Sequence, residues 1–287
     1  MTTTAPPPVR AGHPHRPQGG LRTRWEQVRA TPMSRARAGI WVGLVALTVG
    51  SWAYVIAQGH SGRHHPTPTM GLSTPLFLAV WVAMMIATMF PATAPMVLMF
   101  ARIGANKRTA GGRAVTVWWF VAGYLLVWTG LGVVAYALAV GAEDLAGRFS
   151  AVADNAARLG GALIVVAGAY EFSGLKDRCL TECRSPLSFV MQHWRDGRGG
   201  AVRMGVRHGW ECAGCCWALM ALMFPLGMMN IAALAGVTAF IYTEKVLPGA
   251  DVLRRVAGVA LIAFGLTVLV HPALLPGSLP HHHMPGM

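Results

Sequence analysis

GIWVGLVALTVGSWAYVIA, residues Gly39 to Ala57, runs nineteen residues without a single charge. At 1.5 Å rise per residue that is about the length of helix needed to cross a ~30 Å hydrocarbon core. Similar runs follow at Thr74 to Ala101, Val115 to Val140, Ala156 to Tyr170, Ala213 to Tyr242 and Val256 to Val270. They predict an all-α fold, a polytopic transmembrane helical bundle of about six spans over residues 39–271. The first run exceeds the apolar stretch of a signal peptide and follows a long polar tail, so it reads as an anchor. The fifth run is too long for one straight span and carries Pro225 and Gly227 near its middle, which predicts a kink or a strong tilt. Pro91 and Pro95 give the second run the same character. Asn230 is the main polar group within the runs, and bonding to a neighbouring helix is its expected role.

The composition agrees. The 287 residues are 54% hydrophobic and only 12% charged, about half the charge density of a soluble domain, with mean hydropathy +0.47. A net charge of +13 would in another setting suggest nucleic acid. Here the excess follows topology. With the N-terminus inside, all but six of the 24 Lys and Arg fall in inner segments. The outer loops hold Arg63, Arg148, Arg158, Lys245, Arg254 and Arg255. By the positive-inside rule both termini are expected in the cytoplasm, with anionic lipid rather than nucleic acid as the partner of the basic surface. The Arg-rich residues 1–38 and the His/Met-rich residues 272–287 lack any packable pattern and are expected to be disordered tails.

All five cysteines fall between Glu171 and Cys216, a stretch expected to form a Cys-rich cytoplasmic loop. Cys179 and Cys183 are four apart. Cys212 and Cys215 form a CxxC, Cys216 follows directly, and His193 and His208 lie between the two groups. Separations of three and four share one helix face, so His208, Cys212 and Cys215 or Cys216 converge if the stretch is helical. Thiolates and thioethers select Cu(I), zinc or iron–sulfur centres, and the C-x₂₋₄-C spacing also suits tetrahedral zinc. Methionine adds a weaker signal. Met84, Met85 and Met89 precede Pro91, and Met220 lies one turn beyond Cys216, although any single buried Met is more often packing than ligand. No Walker loop, dinucleotide fingerprint, GxSxG or HExxH is present, so the chain reads as a binding protein rather than an enzyme.

The order CLTEC (Cys179 to Cys183), HWRDG from His193, then MGVRHGWECAGCCWALM (Met204 to Met220) resembles a bacterial family of predicted metal-binding integral membrane proteins. That family was long a domain of unknown function, and some members are called copper chaperones and are linked with tyrosinase-like enzymes. The resemblance continues through Met229-Asn230, Glu244 to Pro248 and the Met84, Met85, Met89-Phe90-Pro91 motif, where Phe90 stands in place of a second Met. It covers about residues 72 to 270. It implies a multi-pass protein of the bacterial inner membrane that binds copper and supplies a copper enzyme. The implied ligands are Cys179, Cys183, His208, Cys212, Cys215 and Cys216, with Met84, Met85 and Met89 as a second site; the residue pattern itself adds Met220 and His193 as secondary candidates. Two other readings fit the residues: a membrane thiol-disulfide oxidoreductase using Cys212 and Cys215, and a metal transporter with a structural zinc site.

Overall fold

A computed structural model describes residues 32–60, 68–109, 117–247 and 249–275. The Arg-rich tail up to residue 31, the first outer loop at 61–67 and the His/Met-rich end from 276 lie outside them. Among the described residues every regular element is helical: α1 (Pro32–His60), α2 (Thr74–Thr109), α3 (Val117–Arg148), α4 (Ser150–Asp154), α5 (Ala156–Tyr170), α6 (Gly174–Arg184), α7 (Pro186–His193), α8 (Gly197–Ala221), α9 (Met223–Leu226), α10 (Ile231–Val246) and α11 (Asp251–Val270), closed by a 3₁₀ turn, Pro272–Leu274. The all-α expectation is met. Five segments are long and apolar enough to cross a membrane: Arg37–Gly59, Thr74–Lys107, Val117–Arg148, Gly197–Leu226 and Asp251–Val270. The apolar α5 is shorter, at fifteen residues.

Two expectations change. The fifth span does not run from Ala213 to Tyr242. The helix breaks after α9 at Gly227, whose φ of +93° only glycine adopts without strain, and the membrane-length piece is Gly197–Leu226. Asn230 bonds the neighbouring α9 as expected, its Nδ2 donating to the Leu226 carbonyl at 3.2 Å. It also caps α10, its side-chain oxygen accepting from the Ala233 amide at 3.1 Å. The second correction concerns the Cys-rich loop. Residues 171–216 fold into α6, α7 and most of α8, and all five cysteines are buried. Sequence hydropathy misplaced this segment because its arginines are periodic: Arg203 and Arg207 lie one turn apart, while Met204, His208, Cys212 and Cys215 turn inward.

Packing orders the helices. Only 11% of the first span's apolar window is buried, against 61% for α2 and 56% for the α8 segment. The central helices are therefore the two that carry the methionines and the CxxC. Glycines bring α8 against α3: a Cβ on Gly205 would strike the Phe120 carbonyl, and one on Gly123 the Val202 carbonyl. Backbones in contact let dispersion and Cα–H···O contacts hold helices whose surroundings are all apolar. Gly161, Gly168, Gly258 and Gly265 stitch α5 to α11 in the same way.

Pro91 lies inside α2, which stays helical across it. A proline has no N–H, so the Ala87 carbonyl one turn back loses its helical donor. Trp52 of α1 replaces it, donating Nε1–H at 3.0 Å. Trp81 donates to the Trp128 carbonyl of α3 at 2.9 Å, and Gly132 leaves room for its ring.

The contacts also give direction. Leu44 lies near Thr93, Trp52 near Ala87 and Gly59 near Ile231, so α1 runs antiparallel to α2. Phe100 stacks on Phe120 and Trp81 reaches Trp128, so α3 runs antiparallel to α2. Gly205 meets Phe120 and Gly209 meets Val127, so α8 runs parallel to α3. Gly161 meets Gly265 and Gly168 meets Gly258, so α11 runs antiparallel to α5. Because α10 returns alongside α8, the start of α1 and the end of α11 lie at opposite ends of the bundle. The charge count alone expects both termini on one side, whereas these directions set the two helix ends apart; the break at Gly227 adds a helix that hydropathy alone merges into its neighbour.

Candidate metal centre

The cysteines meet where α6, α8 and α10 converge on α2 and α3. On α8, Cys212 is near the middle of the Gly197–Leu226 segment. Cys215 and Cys216 follow by three and four residues, and their thiols donate back to the Cys212 carbonyl at 3.1 and 2.9 Å. From α6, Cys183 places its sulfur 3.9 Å from that of Cys215. From α2, Met89 presents its thioether sulfur 3.9 Å from Cys216. Cys179 lies over Gly214, where a side chain would collide with its sulfur. The glycine of the CxxC thus lets the α6 thiols reach α8.

Two residues that sequence reasoning did not select converge on Cys212. Tyr124 of α3 brings its hydroxyl to 3.1 Å from the sulfur, and Lys245 of α10 donates to it at 2.9 Å. Both are buried. A charged residue closing an apolar helix was visible in the sequence at Lys245, but nothing there pointed it at a thiol. Tyr124 carried no signal.

His208 lies one turn before Cys212, stacked on Phe120 and Tyr124 and meeting Phe189 edge-on. Among the described residues neither of its ring nitrogens has a hydrogen-bond partner, so the imidazole lone pair is held dry on the same helix as the thiols. Met84, Met85 and Met220 are buried in the same core, at helix positions that continue from Met89 and Cys216. His193 stands apart. It ends α7, its Nδ1 3.0 Å from the Phe189 carbonyl and its ring against Phe189.

Beside the sulfurs lies an ion triad. Lys176 of α6, fully buried, pairs with Glu171 and, at 2.9 Å, with Glu244 of α10. Burial, then the Glu244 carboxylate, push the Glu171 carboxyl up to about 7, against the pull of Lys176. Arg184 holds the Glu244 carbonyl at 2.7 Å and Asp251 at 2.9 Å, and Arg254 pairs with Asp177 at 2.5 Å. On α6, burial and then Glu211 push the Cys179 thiol up to about 11. Hydrogen bonds to Cys212 and Cys215, followed by burial, hold Cys183 well above the usual thiol range.

Among the described residues, no three His, Cys, Asp or Glu side chains already form a closed metal-binding group. What is assembled is a buried cluster of thiols and one thioether, with the Cys183–Cys215 and Cys216–Met89 sulfurs each 3.9 Å apart. These soft, polarisable donors fit a thiophilic ion such as Cu(I). The fold and site together define a polytopic all-α protein with an internal thiol–thioether cluster on its two most buried membrane-length helices. A family model matches residues 78–268, and by it the chain belongs to the PpoB2 copper chaperone family. Neither a curated protein nor a solved structure matches the chain.

Proposed function

We propose that this protein is a multi-pass chaperone of the bacterial inner membrane, with its N-terminus in the cytoplasm. It takes Cu(I) into the cluster of Cys183, Cys212, Cys215, Cys216 and Met89 and releases it to a copper enzyme. The observation that carries this reading is the convergence of four thiols and one thioether, from three helices, in a water-poor core. His208 and Cys179 flank the set, and Met84, Met85 and Met220 extend it along α2 and α8. Thiols that must lose protons to bind make uptake pH-dependent, and soft ligands in excess of what one Cu(I) needs allow it to pass from donor to donor. Copper is cargo here.

The orientation rests on charge. The helix directions move Lys245, Arg254 and Arg255 to the α6 end of the bundle, beside Asp177 and Glu244. Of the Lys and Arg among the described residues, all but Arg148 and Arg158 then belong to the end where α1 begins, a stronger positive-inside bias than the sequence count alone. The test is metal content. The detergent-purified protein, loaded with Cu(I) under reducing conditions, is expected to retain copper by mass spectrometry. Changing Cys212, Cys215 and Cys216 to Ser together is expected to abolish retention, and undiminished copper in that variant defeats the proposal. A periplasm-active phosphatase fused after Leu275 is expected to be active, because α11 ends opposite the start of α1.

A further inference from the structure

Among the described residues, Lys245 is the one buried cation without a carboxylate partner. Its neighbour Glu244 turns to Lys176, and Arg254 is matched by Asp177. Among the described residues Lys245 has one hydrogen-bond partner, the Cys212 sulfur. A buried ammonium is costly unless paired, so a negative sulfur at Cys212 is its natural counter-charge. Any metal entering the cluster arrives beside a fixed positive charge.

This bears on which metal enters. In a poorly polarisable interior the repulsion from a charge a few ångströms away scales with the charge of the incoming ion. A divalent ion meets twice the repulsion of a monovalent one. With the Lys245 ammonium counted, neutrality takes three thiolates around a divalent ion and two around a monovalent one. Both Cu(I) and Zn(II) are satisfied by the sulfur donors alone, so donor type does not separate them here. Charge does.

We propose that Lys245 is the specificity-determining residue of the cluster: its ammonium, buried against the Cys212 sulfur with no carboxylate beside it, favours monovalent soft cations over divalent ones. The inference rests on the copper reading above, and the two are separable by experiment. Wild-type protein in detergent is titrated anaerobically with Ag(I), as a redox-inert monovalent probe, and with Cd(II), each followed by thiolate-to-metal absorbance and confirmed by metal content. Wild type is expected to bind Ag(I) in preference to Cd(II). Lys245→Met is expected to shift the ratio of the two affinities toward Cd(II) by about tenfold or more. Lys245→Arg, which keeps the charge, is expected to stay near the wild-type ratio. Lys245→Gln, polar enough to keep a bond to Cys212, provides a second neutral variant should the Met variant fail to fold, and is expected to lose the preference likewise. A wild-type ratio retained in the neutral variants overturns the inference while leaving copper binding standing. A wild type that prefers Cd(II) also overturns it, and a wild type that binds neither ion removes both readings.

Discussion

Glu244 and Lys245 are consecutive residues of α10, yet they belong to two different interiors. Glu244 completes a triad with Lys176 and Glu171 in which every charge has an opposite partner. Lys245 enters a pocket whose groups are thiols, a thioether and a phenol. Successive residues of a helix point about 100° apart, so one turn of α10 serves both. The difference teaches how an apolar core separates structure from exchange. A cation neutralised by carboxylates has nothing to gain from a metal, whereas one facing sulfur sits where charge changes as the metal comes and goes. The largest expected effect comes from breaking the first interior. Lys176→Met leaves two carboxylates buried without their cation and is expected to cost about 3–5 kcal/mol, read as a lowered unfolding midpoint in detergent. Replacing Glu171, Lys176 and Glu244 together by Gln, Met and Gln is expected to recover most of that loss. The Ag(I) to Cd(II) ratio of the triple variant is expected to stay at the wild-type value, because the triad does not face the thiols.

A second test uses pH. The Glu171 carboxyl is raised to about 7 by burial and by Glu244, so between its ordinary value near 4.5 and 7 the folded protein holds a proton that the unfolded chain has lost. Stability then falls as pH rises through that window and levels off above it. Melting curves from pH 4.5 to 8 are expected to show this decline, and Glu171→Gln is expected to flatten it. An unchanged slope in the variant would place the titration elsewhere.

The sequence carries these two interiors unequally. The clustering of Cys179, Cys183, Cys212, Cys215 and Cys216, and the i, i+4 relation of His208 to Cys212, marked the sulfur site, because ligand chemistry is written in residue type and spacing. The triad was invisible: Glu171 and Glu244 lie at the ends of apolar runs and Lys176 in the expected loop, and their meeting depends on α10 turning back beside α6. That return was hidden because Ala213 to Tyr242 is uniformly apolar. Hydropathy has no symbol for the positive φ of Gly227 that divides it. The same blindness turned an amphipathic helix with an inward sulfur face into an expected loop, and set Lys245 apart from the cysteine it meets.

A smaller effect separates the interiors by geometry. Gly205→Ala puts a methyl group against the Phe120 carbonyl, and the strain of parting α3 from α8 is expected to cost about 1–3 kcal/mol. Tyr124 and Cys212 lie on these two helices, so the 3.1 Å contact between them opens. Metal affinity is expected to weaken, while the pH slope due to Glu171, set among α5, α6 and α10, is expected to persist. Gly130→Ala provides the control, because nothing lies within 4 Å of its new methyl group.

The smallest expected effect tests how Met89 is held beside Cys216. Pro91 deprives the Ala87 carbonyl of its helical donor, and Trp52 supplies another from α1. Trp52→Phe keeps an aromatic ring there, though a smaller one, and removes that N–H, leaving a carbonyl without its donor two residues before Met89. A lost hydrogen bond of this kind costs about 1 kcal/mol, and the unfilled carbonyl loosens α2 at the level of the thioether. Stability is expected to fall by that amount, with Ag(I) affinity weakened less than in Met89→Leu. If Trp52→Phe and Met89→Leu together weaken Ag(I) binding no more than Met89→Leu alone, Trp52 acts on the metal only by placing the thioether. A fully additive loss would show α1 reaching the thiols by another route.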